Sequence, residues 1–321
     1  MVVKALIIGI SGQDGSYLAS YLRDLGVSVL GTTRDLRTLD IDRLSRVVDT
    51  SQITLRSLDI INPQEVSDLL IQYQPDLIFN LAGLTSVAKS FKQPYETVSS
   101  IYQATLTLLE AIRNVLPSAK FFNASSTDCF GNQPPHVICD ESTRFCPSSP
   151  YAIAKASAYW LVRTYRESYN LHVCSGITSN HESPLRGSGF VTQKIIKSVR
   201  DIAARKQDTI ELGNLNIARD WGWAPEYVQA MHMIVNAPEP SDFIIATGST
   251  STLQHFVDLA FTCASLDSKN HVSIKDSLIR PTDISEIYLS PKKIGSTLGW
   301  KSKATITQIV EAMYVDKLWI D

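Results

Sequence analysis

The sequence predicts an α/β protein with a Rossmann-like parallel sheet, helices on both faces of that sheet, and a smaller, mainly C-terminal lobe. A β-branched run at residues 2–8 leads into a glycine-rich turn and then into a helical pattern. Strand and helix patterns continue to alternate up to residue 124. Because such alternation requires crossover connections, it favours parallel strands that are covered on both faces.

The individual elements follow from the spacing of apolar residues. Short β-branched or apolar runs predict strands at residues 2–8, 27–33, 53–58, 77–81 and 119–124. Apolar positions at helical spacing predict helices at residues 17–25, 63–73 and 97–115. This order places a tight turn between the first strand and the first helix.

The order is less regular after residue 178. A polar stretch at residues 180–189 leads into a predicted helix at 192–206, loop-like sequence to Trp221, a helix at 226–236 and a buried strand at 243–247. We therefore expect residues 1–178 and 223–248 to form the Rossmann domain. Residues 179–222 and 249–321 would form the smaller lobe.

Composition excludes several classes of protein. The 321 residues carry 30 Lys and Arg against 32 Asp and Glu, so no overall positive charge is available for nucleic acid or an anionic membrane. No apolar run approaches the roughly 18–20 residues that span a bilayer. Five cysteines without a C-x-x-C pair fit neither a disulfide framework nor a zinc site. We expect a cytoplasmic protein without a metal ion.

The glycine-rich turn is the first candidate binding site. In a dinucleotide-binding fold, glycines between the first strand and helix permit a tight turn and close backbone approach, and the helix N-terminus offers N–H groups to a pyrophosphate. An ordinary strand–helix turn is the alternative. The predicted cofactor-binding residues of this turn are Gly9, Ser11, Gly12, Gln13, Asp14 and Gly15.

The end of the second strand bears on the choice of cofactor. An acidic residue there would bind the ribose 2′-hydroxyl of NAD, whereas an arginine would accommodate the 2′-phosphate of NADP. Arg34 and Asp35 are both present. We favour Arg34 and NADP, although a solvated charged turn is also consistent with this sequence. Asp59 and Leu81, at the ends of later strands, complete the predicted cofactor site together with Tyr151 and Lys155. A helix cap or turn former is the alternative role of Asp59.

A tyrosine and a lysine four residues apart form the strongest catalytic pattern. Tyr151 and Lys155 would share one face of a helix. A neighbouring cation stabilises a phenolate, so such a tyrosine can act as a general base towards a sugar hydroxyl. The polar turn of residues 125–128 follows a predicted strand, at the edge where open α/β sheets place their sites.

Six motifs occur along the chain: Gly9-x-x-Gly12-x-x-Gly15, a Ser/Thr-rich turn ending in Gly131, Ser149-Pro150-Tyr151-x-x-x-Lys155, Asn180-His-Glu-Ser-Pro184, Arg219-Asp-Trp-Gly222 and Arg280-Pro281. Together they resemble the extended short-chain dehydrogenase/reductases, and among them the GDP-mannose 4,6-dehydratase family most closely. The resemblance covers nearly the whole chain.

The resemblance implies an NADP-dependent elimination that is redox-neutral overall. Tyr151 would deprotonate the C4 hydroxyl of a GDP-sugar such as GDP-mannose while hydride passes to NADP⁺. A carboxylate would then remove the C5 proton, water would leave from C6, and hydride would return to C6. The family's catalytic hydroxyl and carboxylate fall on Ser126 and Asp128.

This sequence departs from the family pattern at both of those positions. The family's threonine is Ser126 here, and its glutamate base is Asp128, which is one methylene shorter. Because proton transfer needs hydrogen-bond reach, the shorter side chain bears on the elimination more than on the redox step. An NADPH-dependent 4-keto reductase or epimerase is therefore the alternative function. A third hypothesis, a non-catalytic NADP-binding protein, is disfavoured because Tyr151 and Lys155 are both present.

The resemblance also implies the substrate-binding residues and the assembly. Asn180, Lys194, Arg219 and Arg280, together with Ser126, would bind the GDP-sugar. Arginine suits a nucleoside diphosphate because its guanidinium donates in a bidentate fashion. The superfamily packs its dimer through helices that correspond to the one predicted at residues 97–115. We therefore expect a homodimer, and a homotetramer remains an alternative.

Overall fold

The computed structural model describes residues 2–278 and 282–320. The strands of these residues are β1 Lys4–Ile8, β2 Ser28–Thr33, β3 Thr54–Ser57, β4 Leu77–Asn80, β5 Lys120–Ser126, β6 Ile138–Cys139, β7 Val173–Thr178, β8 Asn180–Glu182, β9 Ile210–Leu212, β10 Ala218–Trp223, β11 Phe243–Ile245, β12 Thr250–Thr252, β13 Val272–Ile274 and β14 Tyr288–Leu289. The helices are α1 Gln13–Asp24, α2 Ile41–Ser45, α3 Pro63–Tyr73, α4 Val87–Ser90, α5 Pro94–Val98, α6 Ala104–Val115, α7 Pro150–Tyr169, α8 Val191–Ala203, α9 Ala224–Val235, α10 Leu253–Cys263, α11 Lys292–Leu298 and α12 Ile306–Tyr314.

The predicted parallel sheet is confirmed. Seven strands pair in the order β11-β7-β5-β4-β1-β2-β3, and every pairing within this sheet is parallel. Helices α1 and α9 pack in one apolar cluster on the sheet, while α3, α6 and α7 pack in another. The sequences of these strands are short, nearly continuous apolar runs, as expected for strands that are buried on both faces.

Two glycines of the turn after β1 are required by its geometry. Gly9 has φ +89°, a left-handed backbone conformation in which a side chain is strained. A Cβ on Gly15 would lie 2.4 Å from the carbonyl oxygen of Gly9, so α1 can approach β1 this closely because residue 15 has no side chain. Helix α1 begins at Gln13, four residues before the predicted helical pattern.

The predicted helix at 97–115 is present but is not uniform. Helices α5 and α6 are joined by a π-helical turn, Ser99–Gln103, so the helical segment runs from Pro94 to Val115. Turns of this kind are found often at functional sites.

The prediction of a loop between residue 206 and Trp221 was wrong, because this part of the chain contains β9 and most of β10. Strand β10 is buried throughout yet carries Arg219 and Asp220, whose charges interrupt an apolar pattern. Asp220 is 1% exposed and accepts hydrogen bonds from the Ser179 hydroxyl and from the backbone N–H groups of Thr247 and Gly248. The buried carboxylate is thus satisfied by partners that are distant in sequence.

A separate apolar core lies away from the large sheet. Helices α8, α10 and α12 contribute Ile195, Phe256 and Ile309 to it, together with Trp221 and Trp223 of β10. None of the helices within residues 2–278 and 282–320 has the length and apolarity needed to cross a membrane.

The last described residues of the chain return to the first helix. The Tyr17 hydroxyl in α1 donates to the carbonyl oxygen of Leu318 (3.2 Å), and the rings of Tyr17 and Trp319 meet edge to face with their centroids 5.2 Å apart. Arg46 and Asp316 form an ion pair of 2.8 Å beside these contacts. Residues 316–319, which we call the closing segment, therefore cover part of α1.

Candidate active site

A cavity opens at the carboxyl edge of the large sheet, where the polar residues that follow several strands meet. Of the residues predicted from the sequence, Asp14, Leu81, Ser126, Asp128, Tyr151, Lys155, Asn180 and Arg219 line it. The site thus lies where open parallel sheets bind their ligands. Lining residues that the sequence reasoning did not place in the site include Glu182, Phe190, Trp221 and Asp283.

Helix α7 carries the tyrosine and lysine to this cavity. It begins after Ser149, whose hydroxyl accepts a hydrogen bond from the backbone N–H of Ala152 (3.1 Å), and Pro150 occupies the first turn, where its missing N–H is no loss. Lys155 lies four residues after Tyr151 with its Nζ 6.0 Å from the centre of the Tyr151 ring. Both side chains face one cavity, as their spacing predicts.

Removing the cap of this helix should destabilise the protein. We expect Ser149→Ala to lower the free energy of unfolding by about 1 kcal/mol, because Ser149 is buried and the N–H of Ala152 would lose its acceptor. Chemical denaturation of Ser149→Ala beside Ser148→Ala measures the effect. Equal losses for the two variants would contradict the capping role.

Burial changes the proton affinity of both α7 side chains. It lowers the pKa of Lys155 from 10.5 to about 8, and the Lys155 ammonium donates to the carbonyl oxygen of Ala124 (2.6 Å). Burial and the Asp128 carboxylate raise the pKa of Tyr151, while a hydrogen bond with Ser126 opposes them. Tyr151 is therefore a neutral phenol at rest, and added positive charge would be needed for it to act as a base.

Strand β5 ends in the turn that carries Ser126 and Asp128. The Ser126 hydroxyl accepts from the Asp128 backbone N–H (3.2 Å), which caps a short 3-10 turn. Ser126 is 8% exposed, whereas the Asp128 side chain is less deeply buried. The turn thus presents a hydroxyl and a carboxylate to the phenol of Tyr151.

The glycine-rich turn is tied to strand β8. Gln13 donates to the carbonyl oxygen of His181 (3.1 Å) and accepts from the Ser183 hydroxyl (2.7 Å), so its side chain is engaged with β8. Nε2 of His181 lies 2.9 and 3.0 Å from the two carboxylate oxygens of Asp14. Although burial opposes both charges, the pair holds the pKa of Asp14 at about 2 and raises that of His181.

The remaining predicted residues lie at different places. Arg34 is exposed just after β2, and Asp59 accepts from the backbone N–H of Ile61 (3.2 Å), which is the role of a turn former. Lys194 is exposed and donates to the carbonyl oxygen of Glu211, outside the cavity lining. Arg219 pairs with Asp283 at 3.2 Å, and Arg280 lies outside the described residues.

The residues of the turn after β1 suit a dinucleotide. Helix α1 begins at a glycine N-cap that supplies no side-chain hydrogen bond, so the N–H groups of its first turn are not occupied by a side-chain cap. In the described part of the chain, no three His, Cys, Asp or Glu side chains group as a metal site would require.

A Rossmann-like sheet with a Tyr–Lys pair and a Ser/Thr-rich turn at its carboxyl edge defines a short-chain dehydrogenase/reductase of the extended type. Solved structures share this fold. The chain superposes on UDP-glucose 4-epimerase from Thermotoga maritima with a TM-score of 0.86 at 20% identity, covering 98% of this chain and 99% of that one. It superposes on dTDP-glucose 4,6-dehydratase from Bacillus anthracis with a TM-score of 0.86 at 18% identity, covering 98% of this chain and 96% of that one.

Comparison of sequences identifies the family. The model of the GDP-mannose 4,6 dehydratase family matches residues 6–313. GDP-mannose 4,6 dehydratase 1 of Arabidopsis thaliana is 36% identical over 98% of this chain and 89% of its own length. GDP-mannose 4,6-dehydratase of Vibrio cholerae is 34% identical over 99% of this chain and 94% of its own. The chain belongs to the GDP-mannose 4,6-dehydratase family.

Proposed function

We propose that the protein is an NADP-dependent GDP-mannose 4,6-dehydratase, a hydro-lyase that converts GDP-mannose or a related GDP-sugar to the GDP-4-keto-6-deoxy sugar. The observation that carries this proposal is the convergence of Ser126, Asp128, Tyr151 and Lys155 on one cavity in a chain of this family. The cavity therefore offers two bases: Tyr151 for a hydroxyl proton and Asp128 for a proton on carbon.

The residues would divide the reaction between them. Tyr151 would remove the proton of the C4 hydroxyl, with Ser126 as a hydrogen-bonding partner and the Lys155 ammonium favouring the phenolate. A bound nicotinamide would supply the hydride transfer, from C4 of the sugar and later back to C6. On that return, Tyr151 would give the proton it took from the C4 hydroxyl to C5. Asp128 would remove the C5 proton, which the neighbouring ketone makes acidic, and would pass it to the departing C6 hydroxyl.

The substrate diphosphate would bind beside strand β10. Arg219 is 8% exposed and its guanidinium lies in the cavity wall, held by the carbonyl oxygen of Ala218 (2.9 Å) and by Asp283. A guanidinium suits a diphosphate by charge and by geometry. Asn180, at the start of β8, lines the same cavity. We assign residues 179–222 and 249–321 to the lobe that binds the nucleotide sugar, with Lys194 and Arg280 as further candidates.

The activity can be tested directly. Purified protein incubated with GDP-mannose and NADP⁺ should give a product lighter by one water, detected by mass spectrometry. Unchanged GDP-mannose and unchanged related GDP-sugars would refute the proposal. Stoichiometric consumption of NADPH with a GDP-4-keto-6-deoxy sugar would favour a reductase instead.

The charges after β2 favour NADP over NAD. The Asp35 carboxylate, which would otherwise bind a ribose hydroxyl, is held by the Arg37 guanidinium at 2.8 Å and by the Arg37 backbone N–H at 2.9 Å. Arg43, which the sequence reasoning missed, donates to the carbonyl oxygen of Ser11 in the glycine-rich turn (3.0 Å). Arg43 also pairs with Asp40 at 2.9 Å, so Arg34 is the arginine that we assign to the 2′-phosphate.

Removing Arg34 should weaken NADP⁺ binding selectively. We expect Arg34→Ala to raise the dissociation constant for NADP⁺ by about tenfold or more, since a charge-assisted hydrogen bond is lost, and to change that for NAD⁺ little. Titration calorimetry with both cofactors measures this, with the exposed Arg56→Ala as the control. Equal weakening of both cofactors would contradict the role of Arg34.

We also propose a homodimer that forms through α5 and α7. Tyr95 and Val98 on α5 are 87% and 41% exposed, and Ile153 and Trp160 on α7 are each 51% exposed. Apolar side chains on neighbouring helices are typical of an interface between protein chains. Sedimentation equilibrium of the purified protein measures the mass of the assembly.

A further inference from the structure

The ring of His181 is surrounded by hydrogen-bond acceptors. Its Nδ1 lies 2.7 Å from the carbonyl oxygen of Ser179, and its Nε2 faces both carboxylate oxygens of Asp14. A carbonyl oxygen and an ionised carboxylate can only accept, so both ring nitrogens must carry a proton. The geometry therefore requires an imidazolium when Asp14 is ionised.

The positive charge of His181 matters because of where its partner Asp14 lies. Asp14 lies in the first turn of α1 and lines the cavity, beside the N–H groups that would bind the pyrophosphate. A carboxylate there would repel an anionic cofactor, because like charges a few ångströms apart at a protein surface interact strongly. The N-terminus of a helix offsets this repulsion in part, since it favours every negative charge near it.

We propose that the His181 imidazolium cancels the charge of Asp14 and thereby allows the glycine-rich turn to accept the pyrophosphate of the cofactor. The inference rests on the proposed function, which supplies the cofactor. His181 acts through Asp14 and is thus a positioning residue.

The surroundings of the pair hold it in place. The His181 ring stacks on Tyr227, with the ring centroids 4.7 Å apart and the planes at 26°. Gln13 donates to one oxygen of Asp14 (3.1 Å) and also joins α1 to β8. The other charges that act on the pair are the Arg186 guanidinium, the buried Glu182 carboxylate, which pairs with Arg186 at 3.3 Å, and the Lys155 ammonium. These partners give the imidazole little freedom to turn away from Asp14.

A double-mutant cycle tests the proposal. NADPH binding is measured by fluorescence for the wild type, His181→Gln, Asp14→Asn and the double variant. We expect His181→Gln to weaken binding by about 10- to 100-fold, since it leaves the Asp14 charge uncompensated. Asp14→Asn alone is the third corner of the cycle, and it shows how much the Asp14 side chain itself contributes to binding. The double variant should bind more tightly than His181→Gln and within about threefold of Asp14→Asn, because the repelling charge is gone.

A merely structural role would give a different pattern. If His181 only packs β8 against α1, the losses of NADPH affinity caused by the two single substitutions should add in the double variant. A double variant that binds no better than His181→Gln overturns the proposal. Independently of any variant, ¹⁵N NMR of the wild type near neutral pH should show two protonated ring nitrogens for His181. One unprotonated nitrogen overturns the proposal. A wild type that binds neither NADPH nor NADH refutes the proposed function itself and the inference with it.

Discussion

Tyr151→Phe should reduce kcat for GDP-mannose by about 10²- to 10⁴-fold, the range that a positioned acid–base group contributes. The phenol is buried in the cavity, hydrogen-bonded with Ser126 and close to the Lys155 ammonium. Phenylalanine keeps the ring and its packing but removes the hydroxyl, so the C4 hydroxyl loses its base. Steady-state product formation followed by mass spectrometry measures the loss.

The fold and the cofactor site should survive this substitution. Tyr169→Phe on the same helix removes a hydroxyl from a side chain that is 47% exposed, and we expect its kcat to equal that of the wild type. NADPH binding by Tyr151→Phe should stay within a few-fold of the wild type. If Tyr151→Phe turned over at the wild-type rate, another group would have to be the base.

Asp128→Asn should reduce kcat for dehydration by a similar factor, about 10²- to 10⁴-fold. The amide cannot accept the C5 proton, whereas the Tyr151–Lys155 pair is left intact. Oxidation at C4 should therefore proceed once per site, and absorbance at 340 nm should show reduced cofactor accumulating up to the enzyme concentration. Asp128→Glu, which restores the methylene of the family's usual side chain, should remain active.

A matched control for this variant is Asp140→Asn. Asp140 is an exposed carboxylate that accepts hydrogen bonds within its own turn. Its substitution should leave dehydration unchanged. Asp128→Asn that still releases a product lighter by one water would show that Asp128 is not the base, and the reductase or epimerase hypothesis would then gain support.

The sequence predicted six of the seven strands of the large sheet and most of the helices packed on it, because apolar periodicity follows burial; strand β7 was not predicted. Helix α3 was predicted at its observed limits, and Tyr151 and Lys155 were found because their spacing places them on one helical face. Strand β10 was missed because Arg219 and Asp220 are buried through partners that no local pattern reveals.

The ion pair between Asp14 of the glycine-rich turn and His181 could not be predicted, for the same reason. Asp14 and His181 are 167 residues apart in sequence and meet because β8 runs past the N-terminus of α1. Arg43 likewise reaches the carbonyl oxygen of Ser11 across 32 residues. Such contacts depend on how separate elements are placed in space, so the sequence motif identified the glycine turn but not the side chains that support it.

The closing segment has a consequence for how the protein is made. Tyr17 and Leu318 are 301 residues apart, and at the usual 5–20 residues per second they leave the ribosome roughly 15 to 60 s apart. During that interval the Tyr17 face of α1 lacks the cover that residues 316–319 provide. Docking of the closing segment on α1 is therefore a late step in folding, because it must wait for the synthesis of the residues that lie between them.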